Sequence, residues 1–317
     1  MTAPPVIRTV LGDIAPNDAG DVNYHEHLFQ VSPLLAGDEL NDVDRSREEA
    51  AALAGSGTSL MIEATPTGLG ARPADVAQIS SATGLSIVHA TGLHHGGHYP
   101  EDHPVRALSI PELADLFTAD ITFGFTAAGE VIEGPAGPVR AGVIKAGIRY
   151  WSIGLFERQA LSAVAEAHDR TGAPVMVHLD YGSAAHEVLD VLAGLGVGEA
   201  SVVLAHMDRN LDPGLHLDLI ARGARLGYDG WARHREAPDS AIIDCAASVV
   251  EGSCGERGIV LGGDVARASR YVSYGGVPGL AYVNTRVVPR LRERLGDGAV
   301  DRILHDNPAD LLSFVPR

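Results

Sequence analysis

An α/β fold is predicted: eight parallel strands closed into a single (β/α)8 TIM barrel, formed as one domain by residues 1–317. Three observations predict it. Short apolar runs alternate with amphipathic stretches, the pattern of a parallel sheet covered by helices. Eight such runs occur in 317 residues, close to the size of one barrel with loop insertions. No Gly-x-Gly-x-x-Gly follows the first run, so the structural alternative, an open doubly wound sheet, lacks its fingerprint.

The apolar runs are residues 21–25, 58–64, 85–91, 141–146, 173–178, 201–206, 224–228 and 258–263. Helical stretches are read at 45–54, 156–170, 184–195, 212–222 and 240–251. In the second of these, Phe156, Ala160, Leu161, Val164, Ala165 and Ala167 approximate one helical face, and Gly172 just after Thr171 is a helix stop. The longest irregular connection, 92–138, holds one helix candidate at 110–117, and long loops of this kind often carry function.

Charge and cysteine content narrow the partners. Lys and Arg number 24 against 41 Asp and Glu, a formal net charge of -17. Phosphate backbones and anionic membrane surfaces are held by basic patches, so neither nucleic acid nor membrane is expected, and a small molecule is. Cys245 and Cys254 are too few for a disulfide framework and form no Cys-x-x-Cys motif. Residues 1–10 lack a basic start followed by an apolar core, so a cytoplasmic location is expected.

Several runs end in a residue that binds metal. The first ends Asn23-Tyr24-His25-Glu26-His27; on a strand His25 and His27 point one way and Glu26 the other. The fifth and sixth end in His178 and His206, where barrel enzymes place catalytic side chains. Taken singly, each is as well read as a hydrogen-bonded rim histidine; together they are hard to explain as packing. Asp264 closes the eighth run, as a metal ligand, a proton acceptor or a helix cap. Lys145 lies inside the apolar fourth run, where a charged amine is costly. It either snorkels to the strand end or is neutralised by carbon dioxide as a carbamate.

His25-Glu26-His27, Lys145, His178, His206 and Asp264 occur in the order and strand positions seen in the phosphotriesterase family of the amidohydrolase superfamily. Val10-Leu11-Gly12-Asp13, the segment from Ala141 to Lys145, the segment from Ala167 to Pro174, His206-Met207-Asp208-Arg209 and Asn307-Pro308-Ala309 also match. Over nearly its whole length the chain resembles that family, which includes phosphotriesterase-like lactonases and phosphotriesterase homology proteins. The resemblance implies a binuclear metal-dependent hydrolase with its site at the C-terminal ends of the strands. His25, His27 and Asp264 would hold the more buried divalent cation, and His178 and His206 the more exposed one. Lys145, as N6-carboxylysine formed with carbon dioxide, would bridge them beside a hydroxide whose proton passes to Asp264. Zinc is expected for so imidazole-rich a site, and manganese, cobalt or iron also fit. A homodimer is a further expectation of the resemblance.

Substrate choice is expected in the loops. Tyr99, in His94-His95-Gly96-Gly97-His98-Tyr99-Pro100, either meets the substrate or packs that loop against Pro100. Trp231 is read as a pocket wall, and Arg233 or Arg235 as a partner for a carboxylate or phosphate. Arg267 and Arg270 suggest an anionic substrate, with a surface-charge reading beside it. The homoserine-lactonase branch has Asp followed directly by Arg after the seventh strand; this chain has Asp229-Gly230. The expected reaction is hydrolysis of a carboxylic ester or lactone, with organophosphate triesters as a side activity. A primary phosphotriesterase, an amide hydrolase and a non-catalytic binding barrel are the alternatives.

Overall fold

The computed structural model describes residues 4–317. All eight apolar runs are strands: β1 Val22–Glu26, β2 Leu60–Glu63, β3 Ser86–Gly92, β4 Ala141–Ile148, β5 Val175–Leu179, β6 Val202–Ala205, β7 Arg225–Tyr228 and β8 Ile259–Leu261. They pair in parallel, each with its neighbour in sequence. Two backbone hydrogen bonds close the ring: Gly263 and Asp264 donate their N–H to His25 O at 3.2 and 2.9 Å. Gly262 permits that approach, because a Cβ there would stand 2.8 Å from His25 N.

A helix follows each strand: α1 Val43–Gly55, α2 Pro73–Thr83, α3 Ile110–Thr122, α4 Leu155–Thr171, α5 Ala185–Gly194, α6 Pro213–Arg222, α7 Asp239–Val250 and α8 Val288–Leu295, and two short helices, α9 Asp297–Asp301 and α10 Asn307–Leu312, end the chain. α4 stops where its sequence says, with Gly172 in the left-handed region at φ 78°. α3 begins in a capping box between Ser109 and Glu112. It runs past the expected end at 117 because Ile121 continues its buried face. The 92–138 connection is more structured than its composition suggests. It carries two one-turn helices, α3 and two small hairpins.

Strand alternation sorts the core into two layers. Val22, Tyr24, Leu60, Ile62, Val88, Ala90, Val143, Met176, Val203 and Val260 fill the barrel. Alternate residues such as Met61, Ile87, Ile144, Val177, Leu204 and Leu226 face the helices. The alternation carries Lys145, two beyond Val143, and His178, two beyond Met176, to the inner side at the barrel's upper end. Opposite, a hairpin of Ile7–Thr9 and Gly12–Ile14 lies under the barrel floor, and Val6 pairs with Phe314. Among the described residues no helix is long and apolar enough to cross a membrane.

Candidate metal centre

The open ends of the strands surround a cavity of about 410 Å³. Lys145, His25, His27, His178 and Asp264 line it, and His206 touches His178 from behind. The six expected ligand positions therefore converge. β1 slips register on β2 between Asn23 and Glu26, so both Tyr24 and His25 reach the interior. His206 and Asp264 have φ of 65° and 45°, unusual for residues with a Cβ, and these bends aim both side chains inward. Glu26 points away, as strand alternation requires, accepting from Asn23 Nδ2 and Val265 N.

Hydrogen bonds fix the tautomer of each imidazole. Asp229 accepts from Nδ1 of His25 at 3.0 Å and from Nδ1 of His206 at 2.6 Å. Thr65 donates its hydroxyl hydrogen to Phe29 O, so it accepts from Nδ1 of His27 at 2.7 Å. Asp180 accepts from Nε2 of His178 at 2.7 Å. Each ring therefore keeps a lone pair on its other nitrogen, the state a metal ligand needs.

Those lone pairs lack protein partners suited to them. His25 Nε2 is sealed from solvent and has no hydrogen-bond partner. It lies 3.6 Å from Asp264 Oδ1, as does His27 Nε2. His178 Nδ1 and His206 Nε2 face each other at 2.7 Å, two lone pairs that repel unless a cation or proton lies between them. His25, His27 and Asp264 bring ligand atoms within 4.8 Å of one another. The donor set thus fits divalent cations.

The electrostatics agree. Burial drives His27 down to about 3 and His206 to about 4, and burial with neighbouring His206 drives His178 far down, so these rings are neutral. Burial pushes the Asp229 carboxyl up, but His206 and His25 outweigh it and hold it well below the usual range. Burial also lowers Lys145 to about 8, against the pull of Asp264. Its Nζ donates to Ala64 O at 2.8 Å. For Asp264, Arg233 and the histidines overcome burial and hold the group far down. Its Oδ2 accepts from Arg209 at 2.7 Å and Arg233 at 2.8 Å, leaving Oδ1 toward the imidazoles.

The substrate-binding expectations divide. Arg233, Arg267 and Arg270 line the cavity. Tyr99 does not: it is 2% exposed, and its hydroxyl accepts from His94 N and donates to Thr67 O. It packs the loop, because two backbone partners behind the wall capture its only polar atom. Trp231 is likewise in the core, 1% exposed, its indole N–H held by Tyr228 O. The sequence reading missed Asp229, Thr65, Asp180 and Arg209. Asp229 and Asp180 carried a signal: like His206, each immediately follows an apolar strand.

Buried acids make the metal-free protein sensitive to alkali. Burial raises Glu26 to about 8 and Glu63, Asp208 and Asp120 to about 7. The unfolded chain ionises them near their ordinary values of 4.5 or 3.8, so between there and about 7 to 8 the folded state holds more protons. Stability then falls as pH rises. The buried histidines act oppositely, but only below their ordinary 6.5. Chelator-treated protein is expected to show a falling urea midpoint from pH 6.5 to 8, and Glu26→Gln to flatten that slope. A midpoint that stays constant or rises would contradict these burial effects.

A model described as the phosphotriesterase family matches residues 5–312. A phospho-furanose lactonase of Mycoplasmopsis agalactiae is 27% identical, over 97% of this chain and 91% of that protein. An N-acetyltaurine hydrolase of Tetraodon nigroviridis is 28% identical, over 97% and 98%. Among solved structures, a lactonase from Listeria monocytogenes superposes with a TM-score of 0.88 at 31% identity, covering 98% of this chain and 99% of that one.

Proposed function

Because the chain belongs to the phosphotriesterase family, we propose that it is a binuclear metal-dependent hydrolase of a lactone or carboxylic ester bearing an anionic group. Phosphotriesters would be a side activity. The observation that carries the anionic substrate is local charge. Arg149, Arg209, Arg233, Arg267 and Arg270 all line one cavity in a chain of net charge -17. Arg209 and Arg233 are spent on Asp264 and Arg267 pairs with Asp38 at 3.8 Å, which leaves Arg149 and, beyond its one hydrogen bond to Trp231 O, Arg270 toward a ligand. The two relatives act, by their names, on a phosphorylated furanose lactone and on a sulfonate-bearing amide.

His25, His27 and Asp264 would hold one cation, His178 and His206 the other, and a carboxylated Lys145 would join them. Bound divalent cations supply Lewis acidity and make water acidic enough to act as a nucleophile near neutral pH. The chain's own residues prepare this. At about 8, Lys145 offers a fraction of free amine at neutral pH. Its nitrogen adds to the carbon of carbon dioxide and releases one proton, giving an anionic group with two oxygens. Asp264 would take the nucleophile's proton at Oδ1. Arg209 and Arg233 keep it ionised and weakly basic, so the proton is passed on and not retained.

A substrate panel tests the proposal: neutral and phosphorylated sugar lactones, aryl esters, N-acyl aminosulfonates and paraoxon-like triesters. The anionic lactones are expected to have the highest kcat/KM. Triesters far better than every lactone and ester would overturn the reading, and a preference for the N-acyl compounds would make the enzyme an amidase.

A further inference from the structure

The loop after β3 carries His94, His95 and His98, one ring nitrogen of each within 4.8 Å of the others. By residue type and spacing this trio reads as a third metal site. The hydrogen bonds contradict that for two of the rings. His94 Nδ1 accepts the backbone N–H of His95 at 2.8 Å, and His95 Nδ1 accepts that of Gly97 at 3.1 Å. A ring nitrogen that accepts carries no hydrogen, so both rings are neutral with the hydrogen on Nε2. The metal centre shows the reverse: its imidazoles donate outward to Asp229, Thr65 and Asp180 and keep their lone pairs inward.

Both rings line the cavity. Among the described residues, neither Nε2 has a protein hydrogen-bond partner, and neither is sealed from solvent. The loop beneath them is held rigidly. Gly96 donates its N–H to Glu157 at 2.9 Å, Arg106 donates to Gly96 O at 2.6 Å, and His94 N donates to the Tyr99 hydroxyl at 3.0 Å. Gly147 of β4 gives the loop its seat, since a Cβ there would stand 2.8 Å from His95 N. Arg149, just past β4, lines the same cavity with no ion-pair partner among the described residues. Asp180, on that side, is engaged at both oxygens, by His178 at 2.7 Å and by Tyr150 N at 3.3 Å.

We propose that His94, His95 and Arg149 form a donor subsite that receives an oxyanion group of the substrate, such as a carboxylate, phosphate or sulfonate. The assignment rests on the hydrolase reading for its substrate, but not for its geometry. Preset N–H donors beside a guanidinium suit such a group, because they need no rearrangement to bind it.

The test uses the metal-loaded full chain. Asn in place of His94 or His95 keeps an acceptor near the Nδ1 position for the backbone and removes the Nε2–H. The His94→Asn/His95→Asn double variant should lose at least about tenfold in kcat/KM on a phosphorylated lactone, chiefly through KM. On its neutral counterpart it should lose less than about threefold. Metal per chain should not change, and His95→Gln, which restores a donor, should recover part of the loss. Equal losses on both substrates, or the loss of one metal per chain, would overturn the subsite. Should the wild type hydrolyse no lactone or ester, the functional reading fails and nitrogen-15 spectra of the imidazoles decide the subsite separately. Nε2–H tautomers at His94 and His95 whose signals move on adding sulfate support it; Nδ1–H tautomers or unmoved signals reject it.

Discussion

Asp229→Asn is expected to abolish most activity although Asp229 need touch neither metal nor substrate. One carboxylate accepts from Nδ1 of both His25 and His206, which would ligate different cations, and Tyr24 donates to it as well. An amide offers one acceptor and one donor in the same volume. Whichever imidazole meets the donor must turn its lone pair toward the new amide's NH2 and present N–H to the metal. A single oxygen-to-nitrogen exchange thus removes one ligand from the centre. Lost orienting partners lower metal affinity about 10- to 100-fold, and a wrong imidazole tautomer lowers turnover by up to about 10,000-fold. Activity is expected to fall roughly 100- to 10,000-fold, with reduced metal per chain by elemental analysis at fixed free zinc. Full metal retention with activity within about threefold of wild type would show that Asp229 does not set the tautomers.

Lys145→Ala is expected to lose both metal and activity, and to regain part of each in acetate or propionate. Lys145 is 1% exposed, and its charged form has one backbone carbonyl as partner. A buried ammonium so poorly paired is costly, whereas an anionic carbamate among cations is not. Removing the side chain leaves a gap that a short carboxylate can enter with the same two oxygens. His178→Ala should lose metal too, but a carboxylate should not restore it, which separates bridge replacement from a general effect of added acid. Urea midpoints of each variant report whether the barrel remains folded. Full activity in Lys145→Ala would rule out the bridging role.

The sequence by itself determined the barrel and the places where the candidate ligands stand. Each strand is a short apolar run whose alternation is local, so the side facing the barrel can be read without knowing its neighbours. Residues at or just past the C-terminal end of a run stand at the open end, which is why His25, His27, Lys145, His178, His206 and Asp264 could be named from one chain and converge in the structure. What those residues do to one another was settled only by closure. Asp229 lies 204 residues from His25, and Arg209 and Arg233 meet Asp264 from 55 and 31 residues away. Tyr99 and Trp231 turned inward because backbone carbonyls behind the wall captured their polar atoms. Even the His94–His95–His98 trio, plain in the sequence, changes meaning with its partners. Residue type fixes that an imidazole can donate or accept, and only the neighbour across the fold decides which nitrogen does so.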